Sequence, residues 1–266
     1  MAIPLSFGLI LAMGLGPFTP YRLAKPAVVW RRIRNPLRTA LAVTAAFVLF
    51  GTRNGWILFA VLTGSFVITL AIRQLWTTAR TAAAKRGGSV AGQALRSMRR
   101  DRPYWGGQIA HIGVVLLAIG IAVSSNSSVE GSFRLAPGDT AEFAGFEITY
   151  LDAFTRDEPN RSVIGAEVEL RRGGDLISTL EPRLNRYPTS AQAVSSPSVD
   201  TGLRGDFYSS LAAIDADGVT VDVFWFPFIW LVWAGGFLAA AGGLWAWLVP
   251  PLRRSERSPE READRV

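Results

Sequence analysis

The sequence contains no cysteine, so no disulfide, thiolate metal site or thiol redox chemistry can be built from this chain. Histidine is almost as scarce. The only one in 266 residues is His111, which excludes a Ser–His–Asp arrangement anywhere outside the segment that holds it. A charged region ahead of the first apolar stretch is also missing. The first basic residue is Arg22, so the N-terminus does not read as a cleavable signal peptide. Acidic residues are lacking from the basic loops as well. Arg73, Arg80, Lys85, Arg86, Arg96, Arg99, Arg100 and Arg102 face a single Asp101 there.

The net charge is +7, but its distribution argues against nucleic acid. Basic residues crowd into short loops between apolar runs, the pattern that the positive-inside rule produces in membrane proteins. Hydrophobic residues make up 49% of the chain and are concentrated in separate runs. The reading is a polytopic α-helical membrane protein of about five transmembrane helices with one extracytoplasmic all-β domain, a small antiparallel barrel or sandwich.

Residues 1–124 are expected to form a membrane region with four helices, at about 3–19, 37–50, 56–75 and 106–124. Residues 125–222 form the β-domain, 223–250 the final membrane helix, and 251–266 a disordered cytoplasmic tail. Five crossings put all the basic loops on one side, which makes the chain N-terminus outside and C-terminus inside. The β-domain then faces outward. Trp56, Trp76, Trp105, Trp225, Trp245 and Trp247 fall at segment ends and read as interfacial anchors.

The β assignment rests on period-two alternation in Phe143–Tyr150, Val163–Leu170, Leu176–Leu180, Phe207–Ile214 and Val219–Phe224. Turn residues separate these runs at Pro137-Gly138-Asp139, Gly173-Gly174-Asp175 and Asp215-Ala216-Asp217-Gly218. The last of these has the opening of a calcium loop, but its twelfth position is Phe226 where a bidentate Glu is required. It therefore reads as a hairpin turn. Thr189–Pro197 reads as a mobile loop.

His111 lies within an apolar segment, and an ionisable residue in lipid is by default a functional candidate. Haem or metal ligation stands against a plain interhelical hydrogen bond, worth about 1–2 kcal/mol. At helical spacing His111 shares a face with Gly107, Val114, Val115 and Ala118, small and aliphatic residues that leave a flat, dry space. A planar macrocycle or a neighbouring helix could fill it. Gly106, Gly113 and Gly120 recur at heptad spacing and favour the helix. Met1, Met13 and Met98 offer no convincing second ligand, so a bound haem would draw one from another polypeptide.

The run Arg102-Pro103-Tyr104-Trp105-Gly106-Gly107-Gln108-Ile109-Ala110-His111-Ile112-Gly113-Val114 resembles the G-G-x-x-A-H-x-G-V signature of the CcmF/NrfE family. These are the haem lyase subunits of multicomponent cytochrome c maturation. Leu135-Ala136-Pro137-Gly138-Asp139, Leu180-Glu181-Pro182-Arg183 with Tyr187, Gly205-Asp206-Phe207-Tyr208 and Phe226-Pro227-Phe228-Ile229-Trp230 follow in the family's order. The segment Phe224–Trp233 departs from it by carrying no basic residue.

The resemblance covers the C-terminal portion of the family, as in split versions encoded as separate polypeptides. It implies that His111 is an axial ligand of a haem b shared with a partner subunit, so that His111 meets the metal through the haem iron. Gly107, Val115 and Ala118 are the implied haem-facing neighbours. It further implies part of a haem lyase that acts only with an N-terminal half carrying the W-W-D region. That assembly would attach haem covalently to apocytochrome c on the outer face of the bacterial cytoplasmic membrane. A periplasmic haem chaperone, apocytochrome c and its thiol-reducing subunits are the implied partners. Two readings from other classes are a docking scaffold without its own cofactor and a transporter subunit with His111 on a proton or substrate path.

Overall fold

The computed structural model describes residues 26–190 and 192–248. The expected helix at 3–19 and the tail at 251–266 lie outside the described residues. The described residues form five helices: α1 (Pro26–Leu49), α2 (Gly55–Arg86), α3 (Val90–Arg100), α4 (Arg102–Ser127) and α5 (Trp230–Trp247). Between α4 and α5 come ten strands: β1 (Val129–Leu135), β2 (Thr140–Phe143), β3 (Phe146–Glu158), β4 (Arg161–Arg172), β5 (Asp175–Leu180), β6 (Arg183–Arg186), β7 (Val194–Ser196), β8 (Ser198–Gly202), β9 (Gly205–Asp215) and β10 (Gly218–Pro227).

Three helices among the described residues, α2, α4 and α5, are long and apolar enough to cross a membrane. The expected segment 37–50 is only the C-terminal half of α1, whose other half carries Arg31, Arg32 and Arg34. The apolar half rises roughly 20 Å at 1.5 Å per residue, short of the ~30 Å of hydrocarbon. Pro36 sits inside α1. Lacking an N–H, it leaves the carbonyl of Arg32, four residues back, without its helical donor. The guanidinium of Arg73 on α2 donates to that carbonyl instead.

Helix ends follow local chemistry. Asn54 caps α2 through its side-chain oxygen, which accepts from the Trp56 and Ile57 N–H groups. The helix then outruns the expected end at residue 75 through the good helix formers of Ala79–Arg86. It stops at Gly87, whose φ of 74° ends the turn. Ser89 caps α3. Asp101 caps α4, its Oδ1 accepting from the Tyr104 N–H at 3.4 Å, so α4 begins ahead of the expected residue 106.

The strands form a sandwich of two antiparallel sheets, ordered β1-β10-β9-β8 and β2-β3-β4-β6-β7, with β5 pairing on β4. Val219, Val221 and Val223 point inward from β10, and Ile148, Val168 and Leu170 from the facing sheet. Phe207 is completely buried among them, with the Phe146 and Phe143 rings 5.1 and 6.1 Å away. A bulge between Tyr150 and Asp152 bends β3.

Two expectations are corrected in this region. The β-domain does not end at 222, and the final helix does not start at 223. Phe224, Trp225 and Phe226 extend the ladder opposite Tyr208, Phe207 and Asp206, and Trp225 packs on Phe146 at 4.9 Å. Trp225 is thus a sandwich residue rather than an interfacial anchor. Phe228, in the left-handed region (φ 56°), turns the chain from strand to helix while its N–H donates to the Arg204 carbonyl. The second correction concerns Thr189–Pro197, which contains β7 instead of a loop throughout. Serine and asparagine side chains anchor it: Asn185 Nδ2 donates to Ser196 Oγ at 2.7 Å, and the Ser195 and Ser210 hydroxyls lie 2.9 Å apart.

Truncating Phe207 to Ala should cost the sandwich about 3–5 kcal/mol, the range for a large buried aromatic. Urea unfolding followed by tryptophan fluorescence reads this through the neighbouring Trp225; a midpoint equal to the parent's would contradict the packing described.

Candidate functional site

α4 presents three different faces. One faces α5, and its residues are the heptad glycines. A Cβ on Gly106 would meet the Gly242 carbonyl at 2.7 Å, and one on Gly120 would meet the Val232 nitrogen at 2.8 Å. Gly113 lies against the backbone of Ala239 and Gly235, and Gly235 in turn against Leu117. In lipid, helices gain nothing from hiding apolar surface, so close backbone contact through small residues is what holds such a pair.

The second face packs on α2. A Cβ on Gly64 of α2 would lie 2.9 Å from Val115 Cγ1 and 2.6 Å from Ile119 Cδ1. Val115 is buried there with Phe66, Val67 and Leu70. Of the neighbours expected around His111, Val115 therefore belongs to the α2 contact, and Ala118 is partly buried at its margin.

His111 falls on the third face, between the other two, and is half-buried. No hydrogen bond or ion pair to it occurs among the described residues. One turn earlier, Gly107 has nothing within 4 Å of the position a Cβ would take. The arrangement is one imidazole a helical turn away from a glycine with open space beside it. Such a donor can serve one axial position of a planar macrocycle. Among the described residues no group of three or more His, Cys, Asp or Glu could hold a metal ion, so any further ligand must come from outside them.

The two ends of the membrane region differ sharply. Asn54 Nδ2 donates to Asn126 Oδ1 at 3.1 Å, tying the start of α2 to the end of α4 on the side of the sandwich. Arg80, Lys85, Arg86, Arg96, Arg99 and Arg100 gather at the opposite end, around α3.

A family model described as the CcmF C-terminal beta-sandwich matches residues 126–227. Cytochrome c-type biogenesis protein CcmF of Pseudomonas aeruginosa is 30% identical over 266 residues, covering 99% of this chain and 39% of that protein. The Escherichia coli protein of the same name is 28% identical over 257 residues, 95% of this chain and 37% of its own length. The chain belongs to the CcmF family, matching its C-terminal part. A solved structure, Cytochrome c Heme Lyase CcmF, superposes on 94% of this chain and 39% of its own with a TM-score of 0.72 at 22% identity. That likeness shows a common fold across both the membrane helices and the sandwich. The chain spans about two fifths of the length of the CcmF relatives it matches.

The sandwich positions quoted for the CcmF/NrfE resemblance form a second polar cluster. Glu181 accepts from Arg183 at 2.6 Å and lies 3.7 Å from Arg156. Arg156 and Arg183 both stack on Phe154, at 4.5 and 5.8 Å from its ring centre. Arg161 donates to Glu158 (2.7 Å) and to the Tyr187 hydroxyl (3.3 Å), and Glu158 is held below the usual carboxylate range chiefly by that Arg161 bond. Exposed pairs of this kind add little stability. Sequence reading overlooked Phe154, Arg156, Glu158 and Arg161. The available signal was Gly165, which sits directly under the Phe154 ring across the strand pair.

Asp206 is buried and accepts from the Gly202 N–H at 3.4 Å. Burial pushes its carboxyl above the usual range, the Gly202 bond opposes this, and Asp200 adds to the rise. A raised folded-state value stabilises the fold below the unfolded value near 3.9 and loses that contribution as pH climbs through the folded value. Asp206→Asn should therefore unfold at a higher temperature than the parent at pH 7, with the gap closing toward pH 4; a gap independent of pH would refute the burial argument.

The α4 faces predict opposite outcomes for two adjacent-looking glycines. Gly113→Leu must part α4 from α5 and should cost at least about 1–3 kcal/mol, seen as a lower melting temperature in detergent. Gly107→Leu projects into open space and should melt with the parent.

Proposed function

We propose that this chain is one part of a haem lyase that attaches haem covalently to apocytochrome c, with His111 as an axial ligand of a haem b shared with a partner subunit. Both the relatives and the solved structure it matches carry names from cytochrome c biogenesis. The observation that carries the reading is the His111 imidazole, without a hydrogen-bond partner among the described residues and one turn from Gly107, which has open space beside it.

In this reading the division of labour along α4 is physical. The heptad glycines and Val115 hold the helix against α5 and α2, which fixes the imidazole's direction without touching the cofactor. Gly107 and Ala118 keep the strip on either side of His111 low enough for a flat ring to approach. Haem b supplies a redox-active iron when bound, with a potential set by axial ligation and by the dry surroundings. The second ligand comes from an N-terminal half carrying the W-W-D region. A periplasmic haem chaperone and apocytochrome c, with its thiol-reducing subunits, complete the partner set.

Charge supports the orientation. The cations around α3 lie at the end opposite the sandwich, and short basic loops stay cytoplasmic. The β-domain is then extracytoplasmic, where covalent attachment to apocytochrome c takes place.

The test is co-expression with the N-terminal partner, followed by absorption spectra of the purified pair. His111→Ala should remove most of the haem absorbance while the sandwich keeps its circular dichroism, and Gly107→Leu should lower haem content with no change in melting temperature. Undiminished haem in His111→Ala would reject the ligand assignment and leave the docking scaffold as the better reading.

A further inference from the structure

At the membrane surface opposite the sandwich, the end of α2 and the short α3 enclose a cleft of about 510 Å³. Thr81, Lys85 and Arg86 wall it from α2, and Arg96, Ser97 and Arg100 from α3. No carboxylate lines it among the described residues. None of its four cations is in an ion pair among the described residues, where every such pair lies in the sandwich. Asp101, the one acid nearby in sequence, caps α4. Four like charges brought together without compensation repel one another and attract an anion.

The cleft is built rather than incidental. Gly87 and Gly88, both at positive φ, reverse the chain between α2 and α3. Gln93 then fastens the reversal, its Nε2 donating to the Gly87 carbonyl at 2.9 Å. This turn runs α3 back alongside the last turns of α2, so that cations of both helices line one cleft.

Apolar side chains are also exposed on these two helices. Leu95 on α3 is 50% exposed, and Ile72 and Trp76, just before the cleft wall on α2, are 60% and 57% exposed. A bilayer presents its phosphates at the ends of the helices that span it, and α2 is long and apolar enough to be one. Basic pockets at the ends of membrane helices are suited to acidic headgroups.

We propose that this cleft binds the phosphodiester headgroup of an anionic phospholipid, with Lys85, Arg86, Arg96 and Arg100 as the cations that attract the phosphate. The assignment is independent of the haem reading, since His111 lies on a different face of a different helix.

Native mass spectrometry of the full chain in mild detergent tests it, with phosphatidylglycerol, phosphatidylcholine and inorganic phosphate as probes. Phosphatidylglycerol should be retained on the order of tenfold better than phosphatidylcholine. Arg96→Gln with Arg100→Gln should abolish that preference, and Arg96→Lys with Arg100→Lys should keep it, which separates charge from folding. Arg134→Gln in the sandwich should leave it unchanged. Equal retention of the two lipids, or a preference that survives the glutamine pair, overturns the proposal. Displacement of phosphatidylglycerol by equimolar inorganic phosphate overturns it in favour of a soluble anion.

Discussion

The contact that organises this chain is backbone against backbone between α4 and α5. Helices packed through ordinary side chains lie 8–10 Å apart, whereas paired strands lie about 4.8 Å apart. The chain leaves α4 at Ser127 and re-enters α5 at Trp230, and within two residues of α4 it is already paired, Val129 opposite Trp225. Glycine at the helix contact brings the two axes toward the lower end of their range, and the strands continue from them without a splayed linker. The first and last strands of the sandwich are thus aligned by the membrane helices beneath them, and the other strands add to that pair.

Polar groups on the helices show how differently the membrane region treats its few ionisable side chains. Arg73 is committed, since Pro36 has freed a carbonyl that needs a donor and the guanidinium supplies one. Ser65 and Thr63 likewise turn their hydroxyls back onto their own helix. His111 has no comparable obligation. A polar group in lipid normally finds a partner, and the imidazole has none among the described residues, which is why the ligand role is proposed for it.

Much of this was legible in the sequence, for reasons that can be traced to particular residues. The heptad of Gly106, Gly113 and Gly120 pointed to a close helix neighbour, which proved to be α5. Period-two alternation located the principal strands, and the Gly-Gly and Asp-Gly turns located their hairpins. Hydropathy failed where two environments look alike. Phe224, Trp225 and Phe226 are as apolar as a membrane helix, but their neighbours across the ladder make them a strand. It also missed that half of α1 is charged, because a window centred on Leu37–Phe50 omits the arginines before it. The faces of α4 were beyond its reach. Spacing puts Val115 near His111, and only the position of Gly64 on α2 reveals that Val115 is already engaged.

The sandwich is joined to the membrane by two covalent connections that leave side by side, from the end of α4 and the start of α5. A domain on one tether can swivel; one on two adjacent, hydrogen-bonded tethers cannot twist without shearing the β1–β10 ladder. Any torque applied to the outer domain by a docked protein must therefore tilt the α4–α5 pair as one lever. His111 is part of that pair, so a tilt of the two helices would carry the imidazole with it.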